Sequence, residues 1–73
     1  MPLLVAPIGL SLKVLRITGN EKTRKHLETL GLTKDMQLEL LSAEGGAAII
    51  KVHDSRISLD HQTALSIMVE PVA

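Results

Sequence analysis

Apolar residues recur at every second position through most of this chain. The exception is Asn20 to Leu32, read N-E-K-T-R-K-H-L-E-T-L-G-L, where the spacing is helical. Leu27 and Leu30 lie three apart, on one face of a helix. Asn20 is a good N-cap, and Glu21 places a carboxylate in the first turn, where unpaired N–H groups attract negative charge. Gly31 suits the left-handed conformation that closes a helix, which lets Leu32 fold back on Leu27 in a Schellman ending. A helix of about two and a half turns is unstable alone. It must rest on an apolar surface that the rest of the chain provides.

That surface is read as strands. Leu3 to Val5 is expected to be a short edge strand or an ordered arm, followed by a turn at Pro7 and Gly9. Ser11 to Ile17 is the first clear strand, and its alternation breaks: Leu12 and Val14 favour one face, Leu15 and Ile17 the other. The break predicts a bulge or a bend at a barrel corner. Thr18-Gly19-Asn20 turns the chain into the helix. After the polar turn Thr33-Lys34-Asp35, Met36 to Leu41 alternates again, with Met36, Leu38 and Leu40 inward and Gln37 and Glu39 outward. Glu44-Gly45-Gly46 is a hairpin loop. Ala47 to His53 carries Ile50 and Val52 on one face and Ile49 on the other, so this strand is expected to be covered on both sides. A tight turn at Asp54-Ser55 leads into the strand Arg56 to Leu59. Asp60 starts a single helical turn through His61, Gln62 and Thr63. Ala64 to Glu70 is the last strand, with Leu65, Ile67 and Val69 inward and Pro71 ending it.

Strands joined by tight hairpins must be antiparallel. The predicted fold is therefore mainly β: a small, partly open barrel of about five antiparallel strands, with one short helix inserted after the first long strand. No repeat, low-complexity run or linker interrupts residues 1–73, which read as one domain.

Composition narrows the function. At 73 residues, with 45% of them hydrophobic, the chain buries only ~60% of its unfolded surface and needs an efficient core. It has no cysteine, which removes disulfides and thiolate metal sites. Phe, Trp and Tyr are also absent, and with them base stacking and the aromatic grooves that grip proline-rich peptides. Lys plus Arg equals Asp plus Glu at 8 each, which argues against a nucleic-acid partner. The apolar opening M-P-L-L-V-A-P-I-G-L lacks a basic flank, is interrupted by Pro and Gly, and is far shorter than a bilayer span. A cytoplasmic protein is expected.

Catalytic chemistry finds little footing. Gly45-Gly46 lacks the Lys-Ser/Thr and the helix of a phosphate-binding loop. Ser55 or Ser58 with His53 and Asp54 is no nucleophile set, because neighbouring strand residues point to opposite faces. His26, His53 and His61 show no i, i+4 pair and no ligand spacing, and read as solvated side chains. Neither catalysis, nor a cofactor, nor a metal site is expected.

Several pieces, in this order and spacing, resemble the FeoA family. They are Arg24-x-x-Leu27-x-x-Leu30-Gly31-Leu32-Thr33, the strand beginning near Met36, Asp54-Ser55-Arg56-Ile57-Ser58-Leu59 and Ala64-x-x-Ile67-x-Val69. Pro7 and Gly9 ahead of Val14 and Ile17 join the match, which extends over nearly the whole chain. Two glycines usual in the family are replaced, one by Asp35 and one around Asp54-Ser55. Asp tolerates turn geometry, so the fold is expected to survive both changes.

The resemblance implies an SH3-like barrel serving bacterial ferrous-iron uptake. It implies a cytosolic accessory protein acting through protein–protein contact with a FeoB-type ferrous-iron permease, which carries its own GTPase domain. The membrane is then reached only through that permease. The competing implication is a stand-alone barrel related to the C-terminal domain of DtxR-type iron-dependent repressors, linked to metal-responsive transcription. These 73 residues are expected to hold no DNA-binding or dimerisation helices of such repressors. Candidate partner contacts are the cations Arg24 and Arg56 and the apolar Leu41, Ile49 and Met68, expected to be exposed. Arg24 is expected to pair with Glu28 one helical turn on. Truncating Leu or Ile is expected to weaken the interface more than salt does.

Overall fold

A computed structural model describes residues 1–72. Strands β1 (Ser11–Ile17), β2 (Gln37–Ser42), β3 (Ala48–Val52), β4 (Ser55–Leu59) and β5 (Ile67–Pro71) form one antiparallel sheet in the order β4-β3-β2-β1-β5. Helix α1 (Glu21–Thr29) follows β1, and the short α2 (His61–Leu65) precedes β5. This is the mainly β architecture with an inserted helix that the residue pattern predicts.

Helix α1 is delimited as its sequence dictates. The Asn20 side chain accepts a hydrogen bond from the Thr23 amide at 2.8 Å. At the other end Gly31 takes φ +86°, the Leu32 amide donates to the Leu27 carbonyl at 2.9 Å, and the Gly31 amide donates to the Glu28 carbonyl at 2.9 Å. Those two bonds define a Schellman ending. The helix buries one residue completely, Leu27, and its ending returns Leu32, equally buried, to the same core.

The core consists of aliphatic side chains alone. Leu3, Leu12, Val14, Leu27, Leu32, Leu40, Ile50, Ile67 and Val69 are fully enclosed, and no polar side chain is buried with them among the described residues. With no aromatic ring to fill space, shape is met by interdigitated Leu, Ile and Val, and each lost methylene costs close to the full cavity penalty.

Two bulges set the geometry. Against β5, β1 pairs Val14 with Val69 and then Arg16 with Met68, so Leu15 is an extra residue. Against β3, β2 pairs Leu40 with Ile50 and then Ser42 with Ile49, which leaves Leu41 extra.

Several expectations are corrected. Of the two expectations for Leu3 to Val5, the edge strand fails and the ordered arm holds, as a single 3-10 turn. It plugs Leu3 into the core, while the residues before it line the free edge of β5, where the Val69 amide donates to the Met1 carbonyl at 2.7 Å. Leu65 does not point inward but is 44% exposed, because the helical turn begun by Asp60 runs on to Leu65 and β5 starts only at Ile67. Alternation across Leu65, Ile67 and Val69 mimics a longer strand, and the Asp60 cap overrides it. Ile49 is 39% exposed, so β3 is covered on one face only. Its neighbours across the ladders are the short polar Ser42 and Ser58.

Nothing lies within 4 Å of a Cβ built on Gly31, so the cost of replacing this residue is purely one of backbone conformation. Gly31→Ala is expected to lower stability by about 1–2 kcal/mol, and Gly31→Val by more. Chemical denaturation followed by circular dichroism checks this, and an unchanged midpoint would remove Gly31 as the cap.

Candidate functional site

The bulge at Leu15 decides what β1 shows to solvent. Leu12 and Val14 point into the core, so a regular strand would bury Arg16 as well. The extra residue inverts the alternation beyond Val14, leaving Arg16 exposed while Ile17 packs partly against the core. Arg16 stands directly opposite Met68 across the β1–β5 ladder.

Beside Arg16 lies a cleft of about 210 Å³ lined by Arg16 and Ile17 of β1, Arg24 and Glu28 of α1, and Thr33 and Lys34 of the following loop. The loop is fixed there by β1 itself. The Asp35 amide donates to the Val14 carbonyl at 2.8 Å, and the Val14 amide donates to the Met36 carbonyl at 2.8 Å. Asp35 adopts φ +70°, the left-handed conformation for which the resemblance predicts glycine, and the fold accommodates it. Its carboxylate sits 3.6 Å from Lys13 Nζ.

Arg16, Arg24 and Lys34 take part in no ion pair among the described residues, where the pairs are Lys13–Asp35 and Lys25–Glu21. The expected Arg24–Glu28 pair does not form. Glu21 is engaged by Lys25 at 3.4 Å instead, in the favoured order of acid before base along a helix. The cleft thus carries three cations against the single carboxylate of Glu28.

The five contact candidates fall in two places. Arg24 lines the cleft, and Met68, half-buried, is the cross-strand neighbour of Arg16. Ile49 and Arg56 lie on the outward side of the β3–β4 hairpin, where Arg56 faces Lys51 across the ladder and Ile49 faces Ser58. Leu41, the bulge residue of β2 next to this hairpin, is like Met68 half-buried and not exposed as expected. Arg16 and Lys34 are site residues that the sequence reading did not single out. The parity break in Leu12, Val14, Leu15 and Ile17 was the signal for Arg16.

The histidines lie apart from the cleft. His26 shares a second depression with Asp60 and Thr63, His61 Nδ1 is 3.2 Å from the Gly46 carbonyl oxygen, and His53 occupies the β3–β4 turn with φ +56°. Among the described residues no three His, Asp or Glu side chains are grouped to hold a metal ion. Asp60 is the N-cap of α2, accepting from the Thr63 amide at 2.7 Å. Its carboxyl is held below the usual range by hydrogen bonds from Thr63, aided by the positive charge of His26 and His61. Among the described residues no helix is long and apolar enough to cross a membrane.

The family model described as the FeoA domain matches residues 1–71. A crystal structure titled iron uptake regulatory protein (FeoA) is similar at 28% identity, with a TM-score of 0.85, over 97% of this chain and 95% of that one. The solution structure of a FeoA-like protein from Clostridium acetobutylicum is similar at 19% identity and a TM-score of 0.84, over 100% of this chain and 87% of that one. The fold also recurs in a manganese-dependent transcriptional repressor, at 19% identity and a TM-score of 0.88, where the chain covers 99% of itself but 41% of the repressor. No curated protein matches the chain by sequence. These likenesses bear out the expected SH3-like barrel.

Because its folded carboxyl titrates below the ordinary value, Asp60 stabilises the fold fully above about pH 4 and loses that contribution as the pH falls through its lowered value. Asp60→Ala is expected to melt below the wild type at pH 7, with the gap closing toward pH 2. Parallel thermal melts check this, and a gap independent of pH would contradict the ionised cap.

Proposed function

We propose that this chain, which belongs to the FeoA domain family, is a non-catalytic, cytoplasmic accessory protein of ferrous-iron uptake that docks on the cytosolic GTPase domain of a FeoB-type permease. The observation that carries the reading is the family match over residues 1–71. The fold supports a docking role. Its core is closed and wholly aliphatic, while unpaired cations and apolar side chains remain at the surface. The chain itself carries no phosphate-binding loop, so nucleotide chemistry belongs to the partner. Likeness to the repressor concerns the fold alone and adds no case for transcription.

Of the two groups of candidate contacts, the one around Arg24 and Met68 is favoured, because it adjoins a concavity with uncompensated charge. Docking cores built on Arg and Met are common where a partner presents complementary charge. Arg24→Ala is expected to weaken binding of the purified permease domain by about 1–2 kcal/mol, and Ile49→Ser to leave it unchanged, which reverses the greater weight that the sequence alone gives to Leu and Ile over charge. Calorimetry on the two purified proteins checks this, and the opposite ranking would move the interface to the β3–β4 hairpin. Deleting the gene is expected to impair uptake of ferrous but not ferric iron under anaerobic, iron-poor growth. Normal ferrous uptake with no binding between the purified proteins would remove the reading.

A further inference from the structure

Arg16, Arg24 and Lys34 come from three different segments, β1, α1 and the loop after it, and converge on one cleft that Ile17 also lines. Three cations gathered against one carboxylate, that of Glu28, raise the local potential, which an arriving anion relieves. The cleft volume of about 210 Å³ lies below the ~300–1,000 Å³ typical of small-molecule pockets. Its size suits one or two side chains of a protein.

The surroundings discriminate between kinds of anion. The lining residues come from the end of β1, from Arg24 and Glu28 past the first turn of α1, and from the loop beyond its C-terminus, where helix carbonyls contribute negative potential. Neither a helix N-terminus nor a glycine-rich turn contributes to the lining. A phosphate dianion would therefore lack the backbone N–H groups that ordinarily cradle it. Guanidinium groups beside an apolar side chain match carboxylates, which need no backbone cradle and which they bind through paired N–H···O bonds. Ile17 and Thr33 line the same cleft between the cations.

We infer that this cleft receives a short acidic segment of a protein partner, with carboxylates on Arg16, Arg24 and Lys34 and an intervening apolar side chain on Ile17. The inference deepens the docking reading above by naming the chemistry of the contact. Glu28 then acts as a gauge of selectivity, since its carboxylate repels the very groups the cations attract.

The test titrates isotope-labelled protein with the end-capped peptide Asp-Glu-Leu-Glu-Asp and with its neutral analogue Asn-Gln-Leu-Gln-Asn, following backbone amide shifts by NMR. The acidic peptide is expected to shift residues 16, 17, 24, 28, 33 and 34, the neutral one to shift none, and the effect to fade between about 50 and 500 mM salt. Glu28→Gln should tighten peptide binding about two- to fivefold. The double variant Arg16→Gln, Arg24→Gln should weaken it about tenfold, with the dispersed amide spectrum of the folded chain intact.

Equal shifts from inorganic phosphate, binding to phosphatidylglycerol vesicles that the double variant abolishes, or no shift with either peptide would each overturn the inference. The permease domain supplies a separate arm. If it binds wild type and double variant alike, the cleft assignment falls and the docking reading stands. If it binds neither while the acidic peptide binds as described, the docking reading falls and the cleft assignment stands.

Discussion

The ladder between β1 and β5 is the contact on which the rest of the molecule depends. It joins residues near opposite ends of the chain, Leu12 to Pro71 and Ile17 to Ile67, before the core can close. Such sequence-distant pairing carries a large loop-closure cost, which the burial of Val14, Ile67 and Val69 must offset. Its bulge is as consequential as its pairing. The one extra residue, Leu15, keeps Val14 and Val69 in the core and yet turns the charged Arg16 outward. Burying an unpaired guanidinium would cost several kcal/mol, far more than a bulge. The bulge is therefore the low-energy resolution of an amphipathic conflict, and it also aims Arg16 at α1.

The same economy governs α1. About two turns past its cap the helix commits a single side chain, Leu27, to the core, and the Schellman ending adds Leu32. Everything else on the helix is free to be charged. Glu21 and Lys25 satisfy one another along the exposed face, whereas Arg24 is left beside the end of β1. The loop after the helix is tied to Val14 on both sides of that residue's peptide unit, through Asp35 and Met36. Lys34 is thereby held at the same place. The cleft is a by-product of how this chain closes its barrel, and its charge is what the closure leaves uncompensated.

Much of this was legible in the residues. Asn20, Gly31 and Leu32 define the helix because capping chemistry is local, and the parity break in β1 announces its bulge. The failures came where two local signals competed. Leu65, Ile67 and Val69 alternate like a strand, but the Asp60 cap extends a helix through Leu65. Ile49 looks like a second buried face, yet Ser42 and Ser58 flank it across the ladders. Side-chain pairing is harder still to read, since Arg24 and Glu28 have ideal spacing and do not meet. The gathering of Arg16 with Lys34 depends on tertiary hydrogen bonds of the 33–36 loop, for which no sequence period exists.

The central claim, that an extra residue at Leu15 sets the parity of β1 and so exposes Arg16, is tested most directly by interstrand proton NOEs in the labelled protein. The structure predicts cross-strand contacts of Val14 with Val69, Arg16 with Met68 and Ile17 with Ile67. Contacts of Leu15 with Met68 and of Arg16 with Ile67, the register of an unbulged ladder, would contradict it.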